Sequence, residues 1–305
     1  MSKEKIILDV DTGQDDAVAI AFAAGLADRI ELQGLIATAG NTTLENALEN
    51  TLNMAEALGL ECPVYKGSVK PLLRERAHSE DFHGPNGLAG PVFAARERQE
   101  CQGNGILWAL DEVKSHPGEI TFVSVGPCTD LAVMIKADPS FAPSLKRIVI
   151  MGGSLGPGNA TPSAEFNIYS DPEAAEIVFN SGCEVVMLGL DVTNKVRLRQ
   201  ENMDVLMAFP ESHYKKIFKA QMEYYAEAYR IYDHNVPAMH DPCTIAYLAD
   251  SSCFELKPYT IHVETKGELT LGRTVGTPGG NVLVALKVDE ERFWALFYEA
   301  FCRLC

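Results

Sequence analysis

Tryptophan is the scarcest of the large side chains in this 305-residue sequence, present only as Trp108 and Trp294. Basic residues are few as well: 26 Lys and Arg stand against 42 Asp and Glu, a net charge of −16. A chain so short of positive charge repels nucleic-acid backbones and anionic membranes, so neither is expected as a partner. No run approaches the ~20 apolar residues of a membrane-spanning helix. Met1-Ser2-Lys3-Glu4-Lys5 leads straight into a strand-like segment, not into the apolar region of a signal peptide, which points to a cytoplasmic protein. Paired cysteine motifs are also scarce, with suggestive spacing only at the C-terminus. The eight cysteines are spread through the chain, several in apolar segments, as reduced core thiols are. Cys302-Arg303-Leu304-Cys305 has no second pair to complete a zinc or redox site. There is no internal repeat or low-complexity segment, and the length suits one α/β domain with one large core, expected to span residues 1–305.

What the chain does carry is acid concentrated at one place. In Ile6-Ile7-Leu8-Asp9-Val10-Asp11-Thr12-Gly13-Gln14-Asp15-Asp16 a short apolar run ends in four carboxylates, and an Ala-rich segment from Ala17 to Leu26 follows. The run reads as a buried strand and the segment as a helix, so the acids sit on a strand-to-helix turn. Asp15 and Asp16 suit the positive end of the helix dipole. Asp9 and Asp11 add two charges that such a cap does not require. Like charges this close raise one another's pKa unless a cation shares them, and an all-oxygen cluster suits a hard cation such as Ca²⁺ or Mg²⁺.

Strand, turn and helix then repeat. Leu32 to Ala39 reads as a strand ending in Gly40-Asn41-Thr42-Thr43, and Thr42 with Glu45 predicts a capping box before the helical spacing of Leu44, Leu48, Thr51, Ala55 and Leu58. Pro63 to Tyr65 is a further short strand. Lys66 to Gly90 is a long charged loop in which His83-Gly84-Pro85-Asn86-Gly87 is a candidate lid or rim. A helix is expected over Ile106 to Val113, and a strand over Ile120 to Val125, with Thr129 capping the helix that starts near Asp130. Strands follow at Ile148 to Met151 and Val185 to Leu190, the first before the flexible run from Gly152 to Asn159. Asp171-Pro172 opens a helix between them. Met203 to Leu248 is mostly helical, with Tyr225 and Tyr229 one turn apart, and Thr260 to Val288 predicts antiparallel strands before a last helix.

At least five strand-helix alternations with nearly continuous apolar strands predict an α/β fold, a mostly parallel sheet covered on both faces, with antiparallel strands near the C-terminus. Ligands bind beyond the carboxyl ends of such strands. Asp9, Asp11, Asn41, Val125 and the run from Gly152 to Asn159 all fall there, so one rim is expected to gather them.

Leu8-Asp9-Val10-Asp11-Thr12-Gly13-Gln14-Asp15-Asp16-Ala17 resembles the N-terminal signature of the nucleoside hydrolases, the inosine-uridine-preferring family. The likeness continues nearly end to end through Gly40-Asn41-Thr42-Thr43, His83-Gly84, Val149 to Gly153, Gly158-Asn159-Ala160 and Ala164-Glu165-Phe166-Asn167. It closes with Asp171-Pro172-Glu173-Ala174-Ala175, Gly189-Leu190-Asp191-Val192-Thr193 and His240-Asp241-Pro242. Any one of these segments is weak alone; their joint order is specific. The departures are Thr12, where the family usually has Pro, and Asp130, which replaces a common Asn.

The resemblance implies a Rossmann-like domain that hydrolyses the N-glycosidic bond of ribonucleosides to free base and ribose, in nucleoside salvage. It implies that Asp11, Asp16, Asp241 and the main-chain carbonyl of Val125 hold Ca²⁺, that Asp15, Asn167 and Asp241 bond the ribose diol, and that Asn159 and Glu165 reach the 5′-hydroxyl. Phe166 would pack on the sugar, with Asn41 and His83 at the rim. Asp11 would activate a metal-bound water, and His240, with an ordinary pKa near neutrality, would protonate the base. Tyr225 and Tyr229 would stack on the base or complete the proton path. Relatives are commonly homodimers or homotetramers.

Two other readings share these residues. Asp9-Val10-Asp11-Thr12 after a strand also fits a haloacid-dehalogenase-like phosphatase using Asp9, Asp11 and Mg²⁺, but the Lys and distal acidic pair it needs are not found. A non-catalytic calcium-dependent nucleoside-binding protein would use the same ligands without needing His240. Gly13 arrives one position too early for an EF-hand loop. Base preference rests on the loops around 78–90 and 222–240, where the lack of Trp leans away from relatives that stack purines on tryptophan.

Overall fold

Strand β1, Glu4–Val10, is buried over its last five residues because both faces of the sheet are covered. Ile6, Leu8 and Val10 point into one apolar cluster, and Ile7 into the other with Phe122, Ile148 and Val185. The computed structural model describes residues 3–77 and 79–305. Met1 and Ser2, where the expected lead into β1 begins, and His78, at the edge of the 78–90 loop, lie outside the described residues.

The remaining strands are β2 (Ile30–Ala37), β3 (Val64–Lys66), β4 (Ile120–Ser124), β5 (Arg147–Met151), β6 (Val185–Leu188), β7 (Phe254–Val263), β8 (Thr274–Pro278) and β9 (Val282–Val288). They form one nine-stranded sheet in the order β3-β2-β1-β4-β5-β6-β9-β7-β8. Pairing is parallel from β3 through β6 to β9, whereas β7 and β8 run antiparallel. The α/β fold with C-terminal antiparallel strands is therefore as expected; the insertion of β9 beside β6, parallel to it, is additional.

The chain leaves β1 toward β2 on one side, and β4 takes the other side, so a crevice opens between the carboxyl ends of β1 and β4. Two local expectations are corrected. The helix Leu44–Ala57 is capped by Thr43, whose hydroxyl accepts from the Asn46 amide at 3.3 Å, while Thr42 Oγ1 accepts from the Asn46 side chain at 3.0 Å. Thr129 is the first residue of its helix, not the cap, and its hydroxyl donates to Asp171 Oδ2 at 2.7 Å. Asp171 caps Pro172–Phe179, with Pro172 at the start as predicted. Thr12 gains a partner that proline would lack, since its hydroxyl lies 2.6 Å from that of Thr51.

Candidate active site

The turn after β1 is tied by its own acids. Asp16, in the first turn of the helix Gln14–Gly25, folds back so that Oδ1 accepts from the Asp11 amide and Oδ2 from the Gly13 amide, both at 3.0 Å. Asn41, at the end of β2, donates from its side chain to Asp16 Oδ2 at 3.1 Å and from its backbone to Asp11 Oδ2 at 2.5 Å. Asp11 is enclosed closely enough that a β-carbon at Gly40 or Gly126 would collide with its carboxylate, so these loops need glycine. Its other oxygen, Oδ1, is buried with no partner among the described residues.

Asp15 and Asp241 complete the cluster, Asp241 standing just before the helix Pro242–Ala249. One oxygen from each of Asp15, Asp16 and Asp241 lies within 4.8 Å of the others. Burial, and then the neighbouring acids, raise every one of these pKa values except that for Asp16 burial alone does so; Asp15 is carried from 3.8 to about 8. An all-oxygen donor set, an orphaned buried oxygen and mutual repulsion together fit a hard divalent cation. The Val125 carbonyl, after β4, is in the same floor and accepts from Asn167 Nδ2 at 2.7 Å.

Asp9 is not part of the cluster, contrary to the expected convergence. It lies buried beneath the floor, its Oδ2 reached by Ser124 Oγ at 3.4 Å, beside Asp130. Among the described residues Asp9 Oδ1 and Asp130 Oδ2 each lack a donor, and burial raises both acids, Asp130 to about 6. The two oxygens without donors are satisfied if the pair shares one proton.

Above the floor is a cavity of about 400 Å³. Asp15, Asn41, Val125 and Asp241 form its base. Asn159, Glu165, Phe166 and Asn167 line one end. Glu165 caps the short helix Phe166–Ser170, its carboxylate accepting from the amides of Gly153, Asn167 and Ile168 at 2.9, 2.9 and 3.1 Å. Asn159 Oδ1 accepts from the Phe166 amide at 2.9 Å, which fixes that side chain toward the cavity. Asn167 turns its Nδ2 down to the carbonyls of Val125 and Met151, at 2.7 and 3.1 Å, so its amide nitrogen supports the floor.

His83, Tyr225, Tyr229 and His240 line the opposite end. Tyr225 and Tyr229 sit one turn apart on His213–Tyr232, with ring centroids 4.9 Å apart, edge to face. Tyr225 OH reaches Asp15 Oδ1 at 3.5 Å. Tyr229 OH lies 3.0 Å from His240 Nε2, and His240 Nδ1 lies 2.8 Å from Thr193 Oγ1. Burial, with the charge of Arg197 and then His83, lowers the His240 pKa to about 3. The expectation of an imidazole that titrates near neutrality is thus corrected: the ring is neutral, giving one proton and accepting at the other nitrogen. His83 is likewise neutral, lowered by burial to about 4, and its Nδ1 accepts from the Gln14 amide at 3.0 Å. Gln14 Nε2 also holds the Ala89 carbonyl at 2.9 Å, and Asn50 holds that of Asn86 at 2.8 Å. Of lid and rim, the 83–90 loop is built as a rim.

Several lining residues were not anticipated, among them Phe82, Asn194, Arg197, Tyr232 and Asp233. Asn194 and Arg197 directly follow the Asp191-Val192-Thr193 run, and that adjacency was the available signal; the others carry none. Trp108 stacks on Tyr65 at 4.8 Å, and neither tryptophan lines the cavity. A wider hollow of about 740 Å³ lies at the other end of the sheet among Glu4, Arg147 and Arg292. Its charged groups largely pair with protein, as in Glu4 with Lys146 and Arg29 with Glu299, and among the described residues no metal-type acid cluster sits there.

Known proteins match this sequence and fold. A sequence model described as inosine-uridine preferring nucleoside hydrolase matches residues 6–295. The pyrimidine-specific ribonucleoside hydrolase RihB of Escherichia coli (strain SE11) is 36% identical over 307 residues, covering 98% of this chain and 97% of that protein. A purine-preferring ribonucleoside hydrolase from Gardnerella vaginalis superimposes with a TM-score of 0.92 at 32% identity, covering 98% of each chain. A plant nucleoside hydrolase does so with a TM-score of 0.91 at 31% identity, covering 99% of each chain.

Proposed function

Since the chain belongs to the inosine-uridine preferring nucleoside hydrolase family and is thus an enzyme that hydrolyses N-glycosidic bonds of ribonucleosides, we propose that its chemistry depends on Ca²⁺ held by Asp11, Asp16, Asp241 and the Val125 carbonyl. The observation that carries this reading is the convergence of Asp15, Asp16 and Asp241 beside the orphaned Asp11 Oδ1, at the floor of the cavity. When bound, the cation lowers the pKa of water in the site and offsets the carboxylate charge. Asp15, Asp241 and Asn167 bind the ribose diol, while Asn159 and Glu165 bind the 5′-hydroxyl and Phe166 packs on the sugar. Asp11 takes the proton of the attacking water. The acids around the sugar favour the oxocarbenium-like transition state, and His240, with Tyr225 or Tyr229, conveys a proton to the base. Free base and ribose then enter salvage. Residues 1–305 act as one catalytic domain, in a homodimer or homotetramer; the eight free cysteines, four of them buried, suit the cytoplasm.

A panel of free nucleosides tests the reading, scored for free base and ribose. Inosine or uridine should be cleaved, whereas inosine monophosphate should be a poor substrate, because buried Glu165 would face its phosphate. Equal kcat/KM for inosine and its monophosphate would sink the Glu165 assignment. Release of phosphate from phosphate esters, or of nothing at all, would favour the phosphatase or the sensor.

The cation should also stabilise the fold. Between about pH 4 and pH 8 the folded chain keeps a proton on Asp15 that the unfolded chain has released, so the metal-free protein loses stability as pH rises through that window. Ca²⁺ at one fixed concentration, ~100-fold its Kd at pH 8, should raise the melting temperature by about 5–10 °C there and by less near pH 5, where protons compete for the carboxylates. Scanning calorimetry with and without Ca²⁺ at the two pH values measures this; a shift independent of pH would contradict a site made of these carboxylates.

A further inference from the structure

Charge in the cavity is divided between its ends. Asp15, Glu165 and Asp241 lie at the floor and sugar end, and Arg197 is the sole Lys or Arg among the described lining residues. Its Cζ stands 5.6 Å from the centroid of the Tyr229 ring, the residue whose hydroxyl meets His240 at 3.0 Å. The guanidinium is held in place. Nε donates to the Asn194 carbonyl at 2.7 Å, Nη1 to the Val236 carbonyl at 2.9 Å, and Nη2 to Asn194 Oδ1 at 3.3 Å. Asp233 is the opposing charge, at a long 3.4 Å and with its side chain 43% exposed against 13% for Arg197, so solvent screens the acid far more than the cation. Those four contacts leave one of the five guanidinium protons unclaimed.

We propose that Arg197 is a leaving-group residue, a fixed cation at the base end that stabilises the negative charge building on the departing base. As the C1′–N bond breaks, its electron pair moves to the base and positive charge is left on the ribose ring. Water forms the new C1′–O bond, its proton passes to Asp11, and the base takes up a proton by way of His240 as its charge develops. Acids at the sugar and a cation at the base then each oppose the charge created beside them, and the preorganised pair needs no rearrangement during the reaction. This rests on the hydrolase reading above.

The test compares wild type, Arg197→Gln and Arg197→Lys on uridine, inosine and 4-nitrophenyl riboside, whose phenolate is already a stabilised anion. Arg197→Gln should lower kcat on uridine and inosine by ~10–100-fold while changing it less than ~3-fold on the nitrophenyl riboside. Arg197→Lys, which keeps the charge but not the clamp on Asn194 and Val236, should stay within ~5-fold on all three. An equal loss on every substrate, a change in KM alone, or a lysine variant as poor as the glutamine one would overturn the proposal and leave Arg197 as a brace for the 233–239 segment. If Arg197→Gln does not fold, the lysine variant decides alone, since only a structural brace predicts its uniform loss. Failure of wild type on all nucleosides would instead defeat the hydrolase reading, so the two are separable.

Discussion

Asp11→Asn is expected to lower kcat on inosine or uridine by at least ~10³-fold at saturating Ca²⁺, through loss of a base and of a cation ligand together. The substitution is nearly isosteric. The amide oxygen still accepts the Asn41 amide now held at 2.5 Å, but an NH₂ replaces the buried, orphaned Oδ1. Folding is not the casualty. Burial and Asp16 push the Asp11 carboxyl well above its ordinary range, so removing that charge relieves the metal-free protein, which should melt at the same temperature or higher. Activity and stability therefore move apart, and a collapsed variant would move them together. The paired measurement is kcat with a Ca²⁺ titration, and calorimetry of the metal-free form. Turnover within about tenfold of wild type would remove Asp11 from the base role assigned to it.

The acid cluster was readable because one short strand-to-helix turn supplies three of its four carboxylates, Asp11, Asp15 and Asp16, and local sequence fixes a turn. Asp9 was misplaced by the same logic. Strand geometry settles which way its side chain faces, and its partners, Ser124 and Asp130, come from β4 and the helix that follows it, far along the chain. The parallel sheet followed from apolar runs that leave no face for water, yet nothing in Val282–Val288 announces that it pairs with β6; that depends on tertiary fit. Arg197, Phe82 and Tyr232 escaped for a related reason. Each is a single residue on an ordinary turn or helix, and its place in the cavity arises from tertiary contacts: Arg197 pairs with Ala238, while Phe82 packs against the Tyr229 and Tyr232 rings. His240 was identified, but its charge state was not, because desolvation is a property of the packed site and not of the residue.

His240 and Asp241 are adjacent, yet the function proposed above assigns them to opposite ends of the substrate. His240→Ala should leave the acid cluster intact and slow cleavage of inosine by ~10²–10⁴-fold, the usual worth of assisted proton transfer to a poor leaving group. The neutral imidazole between Tyr229 OH and Thr193 Oγ1 suits a relay, in which a proton received at one nitrogen is released at the other. A 4-nitrophenyl riboside leaves without needing that proton, so the variant should cleave it nearly as well as wild type. Asp241→Ala should fail on both substrates, because Asp241 belongs to the cluster with Asp15 and Asp16 and its loss empties the floor of the site. Comparing kcat for two variants on two substrates separates the roles. If His240→Ala slows both substrates equally, the ring props up Tyr229 and the site, and proton delivery passes to Tyr225, Tyr229 or solvent.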